Sequence, residues 1–237
     1  MAIAKIFSTA LLAGLVAAQT LTIPTRTGSI ISLSLPSLIS GSRDFGNREF
    51  DRGRACETDV LSNGGEPVFI LEDGASISNV IIGQGQVQGI ECRGACTLKN
   101  VWFRRGCDYS ILLSGNGNVL VEGGGAKAAE VIYHKGRGNV TVKDFTAIDS
   151  TYLYRSCGSC SNNGGPRNVA VSNLKANNVK LVAGINSNYG DTASVTGSCG
   201  TAVAKVCQEY KGVDRGLESP KVSTTANCKG QLSLGAC

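Results

Sequence analysis

The sequence predicts an all-β solenoid, a parallel β-helix whose short strands stack coil upon coil. Three observations carry that expectation: a short phrase that recurs along the chain, period-two alternation inside it, and Gly, Asn or Asp between its copies. The phrase is an apolar residue, a polar one, an apolar one, two polar or small ones and an apolar one. It reads Ala75 to Val80, Cys96 to Val101, Val119 to Gly124 and Val140 to Phe145, and more loosely Val169 to Leu174 and Ala193 to Ser198. Its middle apolar positions are 21, 23, 21, 29 and 24 residues apart, a period that signals a solenoid. Alternation at two residues makes each phrase a strand, and the Gly, Asn and Asp between copies supply turns. Coils of about 21 residues suit three short strands, and only stacking buries their two exposed edges. Small residues such as Gly123 to Ala126 fit tight corners. The segment from Gln19 to Glu66 is expected to cap one open end and the cysteine-rich tail from Cys199 the other. An antiparallel sandwich also has short strands and frequent turns, but regular spacing and scarce hairpin signals favour the solenoid.

The N-terminus carries Lys5, the apolar run Ile6 to Val16 and the small residues Ala17 and Ala18. That is the pattern of a secretory signal peptide over residues 1–18, leaving 19–237 as a single extracellular domain. The run is too short to span a bilayer and nothing later matches its length, so no membrane association is expected. An oxidising destination turns the ten cysteines into as many as five disulfides, with connectivity left open. The local pairs Cys92/Cys96 and Cys157/Cys160 could form a zinc or redox site. A lone histidine and the absence of a thioredoxin-like pattern favour structural bridges. The net charge of +5 suits a polyanionic ligand. Few aromatics and no nucleic-acid motif point away from DNA or RNA and toward an acidic polysaccharide. A monomer is the default for a solenoid with closed ends.

Several motifs then stand in order: VFILEDGA from Val68, NVIIG from Asn79, the spaced Cys92 and Cys96, NVW from Asn100, GGGAK from Gly123, LYRSCGSC from Leu153 and GINSNYGDTA from Gly184. Over roughly residues 50–210 the chain resembles the compact pectate lyases of polysaccharide lyase family 3. That resemblance implies a single-stranded right-handed parallel β-helix, disulfide-stabilised, that cleaves polygalacturonate, the de-esterified form of pectin, by calcium-dependent β-elimination. A base removes the C5 proton beside the uronate carboxylate while the glycosidic oxygen leaves C4. A cation neutralises the carboxylate and makes that proton more acidic. The base position matches Arg155. Neutralising an unperturbed arginine at pH about 8.5 costs roughly 5–7 kcal/mol, which implies an alkaline optimum. The bland alternative is that Arg155 pairs with a carboxylate such as Asp149.

The chain also departs from the family pattern. Gln88 stands where an acid is expected, and Tyr109 replaces the second acid of a pair, leaving Asp108. Glu91 is the candidate substitute ligand for Ca2+, and a site with so few carboxylates binds weakly. Glu130 and Tyr152 stand where lysines are expected. Lys127, Lys135 and Arg137 are the candidates to restore that charge. Arg104 and Arg105 reverse the local charge and could clamp uronate carboxylates bidentately. His134 is read as a substrate contact or a structural hydrogen bond, and Asn139 opens a glycosylation sequon in a strand. Two other functions compete: a non-catalytic pectin or host-protein binder, favoured by Gln88, Tyr109, Glu130 and Tyr152, and a pectin hydrolase, which needs a carboxylate pair that the sequence does not show.

Overall fold

The computed structural model describes residues 20–54 and 65–237, so the signal-peptide reading and Cys56 lie outside the described residues. In chain order the strands are β1 Ile31–Ser32, β2 Ser37–Ile39, β3 Ser42–Asp51, β4 Pro67–Leu71, β5 Ala75–Ile82, β6 Gln88–Cys92, β7 Cys96–Leu113 and β8 Val119–His134. They continue as β9 Gly138–Lys143, β10 Thr146–Ser156, β11 Arg167–Ser172, β12 Lys175–Asn186, β13 Ala193–Thr196, β14 Cys199–Val203, β15 Cys207–Tyr210 and β16 Cys228–Gly230. Each pairs in parallel with the strand one coil away, giving a right-handed parallel β-helix with three faces.

The first face is the repeated phrase itself. Ile77 pairs with Leu98, Leu98 with Val121, Val121 with Val142, Val142 with Val171 and Val171 with Val195. Every spacing counted in the sequence is thus one turn of the coil. These six side chains stack in the core at no more than 1 % exposure. The fifth residue of each phrase (Asn79, Asn100, Gly123, Asp144, Asn173, Gly197) has φ between 51° and 68°. This left-handed corner explains the restriction to Asn, Asp and Gly, which tolerate that region at least cost. The Asn side chains bond along the corner: Asn100 donates to Asn79 at 3.1 Å, Asn79 to Asp44 at 2.7 Å and Asn173 to Asp144 at 3.0 Å. A groove of about 410 Å³ outside this corner is lined by Asp144, Asn173 and Gly197.

The ends differ from expectation in one respect. The segment anticipated as a cap contributes β1, β2 and β3, in register with the coil. The open end is filled by Phe45, Phe50 and Phe69, whose ring centroids lie 5.0–5.2 Å apart. At the other end, Cys199–Cys237 and Cys207–Cys228 fasten the tail. The two local cysteine pairs are disulfides, Cys92–Cys96 and Cys157–Cys160. A bridge closing 38 residues contributes about 4 kcal/mol by chain-entropy reasoning.

Candidate active site

Strict alternation would send residues 130 and 133 to opposite faces of a strand. On the third face it breaks once per coil. Val131 and Ile132 both enter the core, as do Leu153 with Tyr154 and Val182 with Ala183. Residues three apart therefore share the outer surface. One outer row is Tyr109, Glu130, Tyr152 and Leu181, and the next is Glu91, Leu112, Tyr133, Arg155, Gly184 and Gln208. The stacking of Tyr109 on Tyr133, centroids 4.5 Å apart and planes within 7°, shows the two rows meeting.

Arg155 lies at the centre of this surface. Its guanidinium rests 3.5 Å from the ring centroid of Tyr210. Gly184, opposite it in register, supplies the space: a Cβ there would sit 2.9 Å from Arg155 Cδ. Arg155 Nη1 is buried and meets no hydrogen-bond partner. Burial lowers the pKa of Arg155, opposed by the Tyr210, Tyr133 and Tyr152 hydroxyls and by Asp191. Asp149 is not its partner, because Asp149 pairs with Lys127 at 3.0 Å and accepts from Asn178 at 2.8 Å.

Two carboxylates lie on the coils before it, Glu130 one coil away and Asp108, next to Tyr109, two coils away. Asp108 accepts from Gln88 Nε2 at 3.1 Å, and burial raises its pKa against the pull of Gln88 and Lys135. Glu130 accepts from the Tyr152 hydroxyl. Burial raises its pKa too, the Tyr152 bond and Arg155 opposing and the Asp108 charge reinforcing the shift. Calcium takes six to eight oxygen ligands. Among the described residues no group of three or more His, Cys, Asp or Glu could hold a metal ion. The residues present do not fit a calcium cage built from protein ligands alone.

A family model described as pectate lyase matches residues 20–216. The chain belongs to the pectate lyase family. It is 40 % identical over 222 residues to pectate lyase E of Emericella nidulans, covering 91 % of this chain and 86 % of that one. Probable pectate lyase E of Neosartorya fischeri is 41 % identical at the same coverage. Among solved structures, the catalytic domain of pectate lyase PelI from Erwinia chrysanthemi superposes with a TM-score of 0.70 at 30 % identity, covering 84 % of this chain and 96 % of that one. The same enzyme in complex with tetragalacturonic acid gives 0.67 at 29 % identity, over 89 % of this chain and 68 % of that one.

Against this pectate lyase frame the expected residues separate. Arg155, Asp108 and Lys135 share the third face, with Lys135 Nζ 5.7–6.0 Å from the Tyr133 and Tyr109 ring centroids. Glu91 lies on the Arg155 row but three coils away, roughly 14 Å at the strand spacing. It accepts from Ser114 at 2.6 Å and pairs with Arg93 at 3.6 Å. Arg104, expected as a substrate clamp, is bidentate on buried Glu49 at 2.8 and 2.9 Å. Arg105 is exposed beyond the second face, its carbonyl taking a bond from Gln86. Lys127 pairs in register with Ile148, in the stretches of β8 and β10 that precede the third face, and binds Asp149. Arg137 holds the carbonyls of Gly164 and Asn162 at 2.6 Å, a loop-fastening role. Of Lys127, Lys135 and Arg137, the three expected to restore the charge, Lys135 is the one placed on the face of Arg155. Asp108 and Glu130 face the same surface, near enough for the Asp108 charge to raise the Glu130 pKa. Sequence reading missed Tyr133 and Gly184, which extending the coil register to the third strand of each turn would have aligned with Arg155, and Tyr210, two residues past the aligned Gln208.

His134 faces inward. It is 1 % exposed, 2.9 Å from the Tyr154 hydroxyl, and burial followed by the Arg167 charge lowers its pKa to about 3 from 6.5. The unfolded chain takes up this proton near pH 6.5 and the folded one near pH 3. The linked stability is complete above pH 6.5 and falls away as pH drops toward 3, by roughly 3–6 kcal/mol. His134→Gln should flatten the stability profile across that window, measured by urea unfolding at a series of pH values. An unchanged slope would contradict the burial account.

Proposed function

We propose that this protein is a secreted pectate lyase that cleaves polygalacturonate by β-elimination, with Arg155 as the base. The observation that carries the reading is Arg155 Nη1, a buried unpartnered nitrogen on the outer face with its pKa pulled down by burial. In the proposed step, neutral Arg155 takes the C5 proton of a bound uronate. The C–H electron pair becomes the C4–C5 double bond, the C4–O4 bond breaks, and the leaving oxygen is protonated by water. Neutralising an ordinary arginine at pH 9 costs about 5 kcal/mol, and the depressed pKa reduces that cost. The rate should rise with pH through the alkaline range, because a base works in its deprotonated form. Calcium enters only as a weak ligand in the millimolar range whose shell the uronates complete, and no step above depends on it. The signal-peptide pattern and the disulfides support action outside the cell, as one monomeric domain over residues 19–237.

A second reading, a non-catalytic pectin binder, is favoured by Glu130 and its Tyr152 partner, which place a carboxylate where the family pattern has lysine. The two separate on near-ultraviolet absorbance from polygalacturonate between neutral and alkaline pH, with added calcium or chelator. The lyase reading expects an increase that grows with pH and survives chelator at least in part. A flat trace from folded protein under every condition favours the binder. Gly184→Ala supplies a local check: displacing Arg155 Cδ should lower kcat by about 10–100-fold while thermal unfolding stays unchanged. Wild-type kcat in that variant would show that Arg155 need not sit where it does.

A further inference from the structure

We infer that a second, cationic part of the site, built by Lys180, Lys205 and Lys221 beside Arg155, binds a uronate carboxylate of the substrate chain. A cavity of about 240 Å³ opens next to the Arg155 guanidinium and is lined by these three lysines together with Tyr152 and Tyr210. Four of its lining side chains are cations and none is a carboxylate. The lysines come from three separate segments, and each backbone is fixed. Lys180 precedes Leu181, which pairs with Tyr152. The Lys205 carbonyl accepts from Val182 N at 3.0 Å. Lys221 forms an antiparallel bridge to Tyr210, the residue under Arg155, while Val222 N–H donates to the Glu209 carbonyl at 3.0 Å and the Val222 carbonyl accepts from Gln208 Nε2 at 2.9 Å.

Convergent like charges are unfavourable unless an anion is expected. Among the described residues no ion pair within 4 Å engages Lys180, Lys205 or Lys221, whereas Lys99, Lys127 and Lys143 on the other faces are all paired with carboxylates. The unpartnered Arg155 Nη1 is a second, independent sign of a missing acceptor in this cavity. The site is thereby polar along the helix axis. Asp108 and Glu130 lie on the N-terminal side of Arg155, and the lysines lie on the coils that follow it. A polyuronate, with a carboxylate on every sugar, gains from the second side and is repelled by the first. The inference rests on the pectate lyase reading for the identity of the polyanion.

The test is equilibrium binding of tetragalacturonate to an Arg155→Lys protein, which keeps the charge at that position, with and without Lys180→Ala, Lys205→Ala and Lys221→Ala. Three exposed cation contacts together are expected to be worth about tenfold in Kd, with a shallower salt dependence in the triple variant. The fully methyl-esterified oligomer, which lacks the carboxylates, should bind both proteins alike. Lys99→Ala with Lys143→Ala, on the first face, should leave Kd unchanged. Equal tetragalacturonate affinity with and without the three lysines overturns the inference, whatever the wild type does to polygalacturonate. Loss of binding in the triple variant, alongside a wild type that makes no unsaturated product, keeps the cationic site and overturns the lyase reading. Should the triple variant lose its β-sheet circular dichroism, Lys180→Gln with Lys221→Gln carries the same two outcomes.

Discussion

Arg155→Ala is expected to lower kcat on polygalacturonate by at least about a thousandfold, the usual worth of a positioned base being 10²–10⁴. Loss of the positive charge beside the uronate removes transition-state stabilisation as well. Arg155→Lys should fail nearly as badly. A lysine has no planar group to lie on the Tyr210 ring 3.5 Å away, and its point charge cannot reproduce the guanidinium fork. Folding should survive both changes, because Arg155 is partly exposed and makes no ion pair among the described residues. The measurement is initial rate of unsaturated product at saturating substrate, with thermal unfolding of each variant alongside. Alanine activity within tenfold of wild type, at equal stability, would remove Arg155 from the base role.

The second large effect concerns stability. Arg167 is 1 % exposed yet its guanidinium is fully engaged: Nε donates to Gly136 O at 2.6 Å, Nη2 to Lys135 O at 2.8 Å and Nη1 to Asn163 Oδ1 at 2.8 Å. Its backbone N–H donates to buried Asp191 at 2.9 Å. Asp191 also accepts from Asn186 N at 2.8 Å and from Ser156 Oγ at 2.5 Å. Burial pushes the Asp191 pKa up and the Arg167 pKa down, so desolvation outweighs their mutual attraction and the hydrogen bonds keep both charged groups in place. Arg167→Met leaves several carbonyls unsatisfied and Asp191 without its counter-charge. The expected loss is about 3–5 kcal/mol, or roughly 6–20 °C in Tm for a chain of this size. Calorimetry checks it, and a Tm shift below about 3 °C would show that water replaces the guanidinium at little cost.

These two residues also show what the sequence could and could not convey. The coil register was legible because the first face obeys strict alternation: Ile77, Leu98, Val121, Val142, Val171 and Val195 all point inward, and the corner after them accepts only residues suited to positive φ. The third face was not legible by the same rule, since Val131 with Ile132 and Leu153 with Tyr154 turn inward together. That break puts Glu130 beside Tyr133 and Tyr152 beside Arg155. The Glu49 partner of Arg104 was not legible, because it lies 55 residues away in a segment expected only to cap the end. Asp191 sat inside the GINSNYGDTA motif and Arg167 in none, and only the fold brings the two together. Lys180, Lys205 and Lys221 likewise converge from segments that share no local pattern.

The central claim, β-elimination with Arg155 as base, is tested most directly by digesting polygalacturonate in water enriched in heavy oxygen and weighing the products. Elimination breaks the C4–O4 bond without adding water. The account therefore predicts one product of each pair lighter by a water, with no heavy oxygen at the cleavage site, and none of this from Arg155→Ala. Incorporation of heavy oxygen at the new reducing end would instead mean hydrolysis and would contradict the account.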